Sequence, residues 1–322
     1  MKNVKCKLSI LFIAIVLLAG FGLVSWNKSY KSEEEKIVKI GYLAIAGALP
    51  LFIANDQGYF KEGGITVELV QFNTSNEIAI AAALGKIDVI GIGATNAVLD
   101  ASVTSGKKFE AFATIGYVKA TKDRKSTDAL IMRNGQSIFD IKGKKVAFFP
   151  GSVSRVFAEI VFPQNGIAID EIEYIELPPS AWKTSLDTGV IDAVHVVEPF
   201  IQILLADPNN TVLIDGYLAE VMPDVPLSAV WIVDGQLSKK QERKIVIAYK
   251  KAINFVSEDR DTALKSFESF TKMPAVLYSE IGLNKWSMMD NLDSQKSLKS
   301  FVELLDTRGA IKDIPKSYIW ID

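Results

Sequence analysis

Short apolar runs alternate with stretches of helical period along most of the chain, in an order that occurs twice. "IVKIGYL" predicts a buried strand over residues 37–43. A turn with Pro50 then leads into a short helix that Gly58 stops. "ITVELVQF" alternates apolar and polar positions, the period of a half-exposed strand. "SNEIAIAAALG" predicts a helix with Ser75 as N-cap and Gly85 beyond its end. A strand over 87–92, a turn, a helix over 96–104 and the strand "KFEAFATIGY" complete the unit.

The same order returns in the second third of the chain. "KKVAFF" answers "VKIGYL", "PGSVS" opens a helix over 153–164, and "NGIAIDEIEYIEL" echoes "GGITVELVQF". A helix through Trp182 and Leu186 precedes a strand over 191–197. "LGKIDVIGIGATNAVLD" and "TGVIDAVHVVEPFIQILL" align Gly85 with Gly189, Ile87 with Ile191 and Asp88 with Asp192. Two such units predict an α/β fold of two lobes, each a mainly parallel sheet flanked by helices. A recurring aspartate at a strand start suits an architectural task, accepting hydrogen bonds from nearby backbone donors. The last third differs. "KKQERKIVIAYKKAINFV" sets Ile245, Ala248, Tyr249, Ala252 and Phe255 on one helical face, and further helices are predicted over 261–271, 274–283 and 294–307. These helices are expected to pack on the first lobe.

Composition narrows the function. Apolar residues make up 49% of the 322, enough for a large core. The 36 bases and 38 acids give a formal charge of −2, and without Lys2, Lys5 and Lys7 the body beyond residue 26 carries −5. An acidic body argues against nucleic acid as a partner. The three lysines precede an uncharged run over 8–26, the layout of an export signal, long enough also to span a bilayer. "LLAGF" resembles a lipoprotein box with Phe21 in the place of the acylated cysteine, so lipid attachment by that route is excluded. Residues 1–26 are therefore expected to be a signal peptide or membrane anchor and 27–36 a polar linker. Export would place the chain in the periplasm or at the outer face of the cytoplasmic membrane. The only cysteine is Cys6 and the only histidine His195. The exported body thus has no disulfide or thiol nucleophile, and a histidine-rich metal site is excluded.

Ligands of open α/β sheets bind beyond the carboxyl ends of the strands, where loops enter helices. Two facing lobes would form a cleft with residues 44–49 and 93–96 on one wall and 150–154 and 197–200 on the other. "KIGYLAIAGALPLFIANDQGYFKEGGITVELVQF" resembles the opening of substrate-binding proteins of ABC importers for sulfonates, taurine, nitrate and thiamine-precursor pyrimidines. "ALGKIDVIGIG", "DIKGKKVAFFPGS", "TGVIDAVHVVEPF" and "AYKKAINFV" are similar to further blocks, in the same order, over residues 37–320. The resemblance implies a two-lobed periplasmic-binding-protein type II fold, closing by a hinge on a small solute. The lobes would be residues 37–120 with the return segment 221–322, and residues 121–220, with crossovers near 117–129 and 216–230. It implies ligand contacts, by position, at Ala46, Gly47, Thr95, Asn96, Gly151, Ser152, Ser154 and Glu198.

Each candidate has a plainer alternative. Ser152 and Ser154, like Thr95 and Asn96, fall at helix starts, where free backbone N–H groups attract oxyanions; alternatively they are ordinary caps. Glu198 follows an apolar strand, where a carboxylate is costly unless paired. It would meet a ligand amine or ring N–H, or form an ion pair with Arg155. His195 is expected in the core. Tyr42, Tyr117, Trp182 and Trp231 would stack on a planar ligand or fill the core. "GYVKATKDRKSTDA" reads as a solvated crossover loop. The expected function is solute capture for an ABC permease and ATPase, by a monomer that reaches the membrane through the permease or an N-terminal anchor. No catalytic residue, metal or cofactor is expected. An anionic or zwitterionic organic solute, sulfonate- or taurine-like, is the first expectation and a thiamine-precursor pyrimidine the second. A pyrimidine-synthesising enzyme and a tethered ligand sensor are the rival classes. The enzymes of that superfamily carry a cysteine-rich motif that has no counterpart here.

Overall fold

A computed structural model describes residues 36–271 and 275–320. The segment expected to direct export and nearly all of the expected linker lie outside the described residues, and the chain from Val38 onward forms one unit. Its strands are β1 Val38–Tyr42, β2 Val67–Gln71, β3 Val89–Ala94, β4 Phe109–Tyr117, β5 Asp128–Arg133, β6 Lys145–Phe148, β7 Glu173–Glu176, β8 Ala193–Val197, β9 Asn210–Asp215, β10 Val225–Val233 and β11 Lys285–Met288. The α-helices are α1 Leu49–Asp56, α2 Tyr59–Glu62, α3 Ser75–Ala83, α4 Thr95–Ser105, α5 Ser154–Gln164, α6 Pro179–Asp187, α7 Phe200–Leu205, α8 Lys239–Glu258, α9 Arg260–Thr271 and α10 Leu292–Thr307.

Two sheets result, one in the order β11-β4-β10-β3-β1-β2 and one in the order β7-β6-β8-β5-β9. Each has a parallel nucleus: β1 between β2 and β3, and β6 between β7 and β8. Each is completed by a strand running the other way, β10 between β3 and β4, β5 between β8 and β9. The reason lies in the crossings. The chain passes from the end of β4 into β5, and from the end of β9 into β10. A chain that leaves one sheet at the carboxyl ends of its strands enters the other at the facing edge, so the receiving strand must run away from that edge.

Burial follows position in the sheet. The central strands β3, β4, β8 and β10 are buried along their whole length, whereas β2 and β7, at the edges, are not. The repeated aspartates do equivalent work. The Asp88 carboxylate accepts the Lys39 N–H at 2.9 Å, and the Asp192 carboxylate accepts the Lys145 N–H at 2.9 Å. In both cases the aspartate N–H donates to the carbonyl of the same lysine. Each pair closes the register between the first and third strands of its unit.

Two local expectations are corrected. The N-cap of α3 is Thr74, whose hydroxyl accepts the Glu77 N–H, and Ser75 is the first helical residue. The stretch expected as a helix over 274–283 holds a 3-10 helix, Ala275–Glu280, followed by the short edge strand β11 against β4. The C-terminal helices pack on the first lobe, α8 and α9 on α1 and α10 on β10 and α4; Phe301 of α10 also meets Phe157 of α5 edge-on, with ring centroids 6.1 Å apart, and both are fully buried. The aspartate pairs predict that Asp88→Ala, at a buried site, lowers unfolding free energy by about 1.5–3 kcal/mol, the worth of a hydrogen bond to a charged group. Asp192→Ala should cost less, because Asp192 is only half-buried. Urea unfolding of the two variants measures both.

Candidate functional site

A cavity lies where the carboxyl ends of the two parallel nuclei face each other. Leu43, Ile45, Ser75, Ala94, Tyr117 and Ser228 line it from the first lobe. Phe149, Ser152, Trp182, His195 and Val197 line it from the second. The space is about 20 Å³, room for roughly one water molecule. The walls are chiefly apolar, and among the described residues no lysine or arginine lines them. The polar groups are the hydroxyls of Ser75, Ser152, Ser228 and Tyr117, and the imidazole of His195. Burial, with the Asp128 carboxylate adding to it, pushes the Tyr117 phenol up to about 12, against a hydrogen bond with Ser228 that pulls it down. Tyr117 therefore stays a neutral group at physiological pH.

Helix starts add backbone donors. Ala94 before α4 and Val153 before α5 make no side-chain cap. By contrast, Thr74, Ser238 and Asn291 cap α3, α8 and α10 through their side chains. One α5 donor is already used, since the Ser154 N–H donates to the Ser152 hydroxyl at 3.2 Å. At the start of α4 the Ser75 hydroxyl accepts the Ala94 N–H at 3.1 Å; the first-turn N–H groups that follow in both helices lack intrahelical partners, and Ala94 and Ser152 at these starts line the cavity.

The structure brings only part of the expected site to the cavity. Of the eight residues, Ser152 lines it. Ala46 and Gly47 form a buried 3-10 turn beside it: the Gly47 carbonyl accepts the Trp286 indole N–H at 2.9 Å, and a β-carbon on Gly47 would lie 2.6 Å from Ile92. The Thr95 hydroxyl donates to the Pro226 carbonyl at 3.0 Å, tying α4 to β10. Ser154 is buried, its carbonyl accepting the Tyr217 hydroxyl. The others join the lobes to each other. The Asn96 amide donates to the Gly151 carbonyl at 3.2 Å. Gly151 has φ +71°, and a β-carbon there would lie 2.5 Å from the Asn76 side chain. The Ala46 N–H donates to the Glu198 carbonyl at 2.9 Å.

Glu198 is buried outside the cavity lining. Its Oε1 accepts from the Gly282 N–H at 3.0 Å and the Gln202 amide at 2.7 Å. Its other oxygen has no partner among the described residues. Gly282 packs so tightly on the Ser126 carbonyl that no β-carbon fits. The expected alternative partner, Arg155, lies instead over the Tyr174 ring, 5.1 Å from its centroid. Of the aromatic candidates, Tyr117 and Trp182 line the cavity, while Tyr42 packs edge-on against Phe52 and Trp231 is fully buried in the core. His195, expected in the core, is buried and also lines the cavity. Ser75 and Ser228 were missed. Ser75 carried a capping signature that Thr74 takes, and nothing distinguishes Ser228 within its strand.

The profile of the NMT1-like family matches residues 31–266. A Bacillus subtilis (strain 168) protein, provisionally named an aliphatic sulfonates-binding protein, is 22% identical over 97% of this chain and 92% of its own. The ligand-binding component of an ABC-type import system from Staphylococcus aureus, solved with zinc bound, superposes with a TM-score of 0.72 at 17% identity, over 88% of this chain and 96% of that one. The alkanesulfonate-binding protein SsuA from Xanthomonas axonopodis pv. citri, bound to MOPS, gives 0.70 at 16% identity, over 87% and 94%. At these identities the solved structures establish the shared fold, that of periplasmic binding proteins.

Glu198 generates a prediction of its own. Burial pushes its carboxyl up to about 7, with the Gly282 and Gln202 hydrogen bonds and the charge of Lys125 opposing it. An acid whose folded pKa lies above its unfolded value destabilises the fold once ionised, so stability falls as pH rises from the ordinary glutamate range through about 7. Glu198→Gln keeps the acceptor oxygen and removes the charge. It should match the parent near pH 5 and be more stable by about 1–3 kcal/mol at pH 8. Thermal unfolding at the two pH values checks the sign.

Proposed function

Because the chain belongs to the NMT1-like family, we propose that it is the exported solute-binding component of an ABC importer, taking a small organic oxyanion with an apolar tail into the cleft between its lobes and delivering it to a permease and ATPase. The observation that carries this reading is the cavity itself, walled from both lobes by apolar side chains and ringed by hydroxyls and uncapped helix starts. Backbone donors and helix dipoles favour an oxyanion without a formal cation, and the apolar walls favour a hydrocarbon portion. A taurine-like zwitterion fits less well, since Glu198, the acid expected to meet its ammonium, is outside the lining. Binding without chemistry is supported by the relatives, which are named as binding proteins. Export is supported by the three lysines ahead of the apolar run over 8–26.

The lobes, residues 37–120 with 221–322 and residues 121–220, would turn about the two crossings. A sulfonate group exceeds the space of about 20 Å³, so the solute enters with the lobes apart and holds them wider than they stand here. A second reading has its own support: Tyr117, Phe149 and Trp182 offer ring faces in the same cavity, which suits a pyrimidine.

A thermal-shift series separates the two. Butanesulfonate should raise the melting temperature more than taurine, and at a hundredfold excess over Kd should stabilise by about 2.7 kcal/mol. Stabilisation by a hydroxymethylpyrimidine alone would replace the oxyanion with the planar ligand.

A further inference from the structure

His195 stands apart from the other groups at the cavity. It is 2% exposed, and its ring lies 4.7 Å from the Tyr217 ring and 6.4 Å from that of Phe148. Its Nε2 is 3.2 Å from Asp128 Oδ2, and the same oxygen accepts the Leu218 N–H at 2.8 Å. Ionised, Asp128 is acceptor-only, so Nε2 carries the proton of that bond. Nδ1 is buried without a partner among the described residues, on a side chain that lines the cavity. A buried polar atom left unpaired is costly, and the ring that carries it borders the cavity.

Asp128 presents the complementary problem. It is fully buried, its second oxygen has no partner among the described residues, and its one ion-pair contact there is with His195. An isolated buried carboxylate is strongly disfavoured, and a protonated imidazole is the cation this position can supply. The other titratable groups facing the ring are Tyr117 from β4 and Tyr217 after β9, both held neutral by burial.

We propose that His195, oriented by Asp128, reads the charged end of the solute: as an anion enters, the imidazole takes a proton from solvent, Nε2–H stays on Asp128, and Nδ1–H donates to a ligand oxygen. The inference rests on the oxyanion reading above. It makes capture proton-linked. The imidazolium form is favoured in the complex, so affinity is full below the free imidazole's titration and falls as pH rises through it.

His195 is the chain's only histidine, so one imidazole signal reports the state of the site. The probe is butanesulfonate, which stays anionic throughout the range. At a pH where the free protein's imidazole is unprotonated, saturation should move the Nδ1 nitrogen resonance to the protonated position. Kd measured by calorimetry should rise about tenfold per pH unit above the free imidazole's titration. His195→Gln, which keeps polar contacts without a titrating charge, should bind more weakly below that range with a Kd independent of pH. Should that variant fail to fold, the parent's resonance and pH profile decide alone. Butanesulfonate binding with Nδ1 unprotonated and a flat pH profile overturns this inference and leaves the oxyanion reading standing. Absence of butanesulfonate binding overturns both.

Discussion

A chain that passes between two sheets at their facing edges can only begin its next strand at that edge. The antiparallel placement of β5 and β10 follows from this constraint, and so does the location of the site. Both crossings consume the carboxyl edges of the sheets, where β1, β3, β6 and β8 also end. The loops and helix starts that follow those strands are thus gathered on one cavity. Both walls derive from one repeated strand–turn–helix plan, and their chemistry differs because the turns differ: Gly93, Ala94, Thr95 and Asn96 on one side, Val197, Glu198, Pro199 and Phe200 on the other.

What holds the walls together is modest. The bonds from Ala46 to Glu198, Asn96 to Gly151 and Gly282 to Glu198 are single hydrogen bonds, each worth a net 0.5–1.5 kcal/mol or so, with somewhat more for the one to a carboxylate. Ionising Glu198 strengthens its bond to Gly282 but buries a charge, and burial prevails, lifting its pKa to about 7. Interactions of this size can be exchanged for contacts with a solute, as a clamp requires. The larger apolar contact between Phe157 and Phe301 is independent of the cavity lining and ties the C-terminal helix to the second lobe.

The fold was legible because its signals are local and repeated. The Gly-x-Ile-Asp blocks mark the approach to the third strand of each unit, and the aspartates proved to do the same backbone task at Lys39 and Lys145. The site was only partly legible, for a reason visible in β8. Val194 and Val196 face the core of the second lobe with Ala129 and Ile131, while His195 and Val197 line the cavity. In a strand buried on both faces the apolar pattern has no contrast, so the face holding His195 could not be read from it. Glu198 looked like a ligand residue because a carboxylate after an apolar strand needs a partner. That partner is the N–H of Gly282, in a segment expected to be helical. The strand β11 was missed because four half-buried or exposed residues carry no period.

The central claim is that the two lobes close on a solute held between them. Leu84 and Val190 are exposed and precede the third strand of the first and second unit, respectively, so cysteines placed there, with Cys6 replaced by serine, would carry spin labels at the far ends of the two lobes. Pulsed dipolar spectroscopy with and without butanesulfonate reads the distance between them. Closure predicts a broad, longer distribution in the free protein that narrows and shortens at saturation. An unchanged distribution in protein that calorimetry shows to be saturated would contradict it.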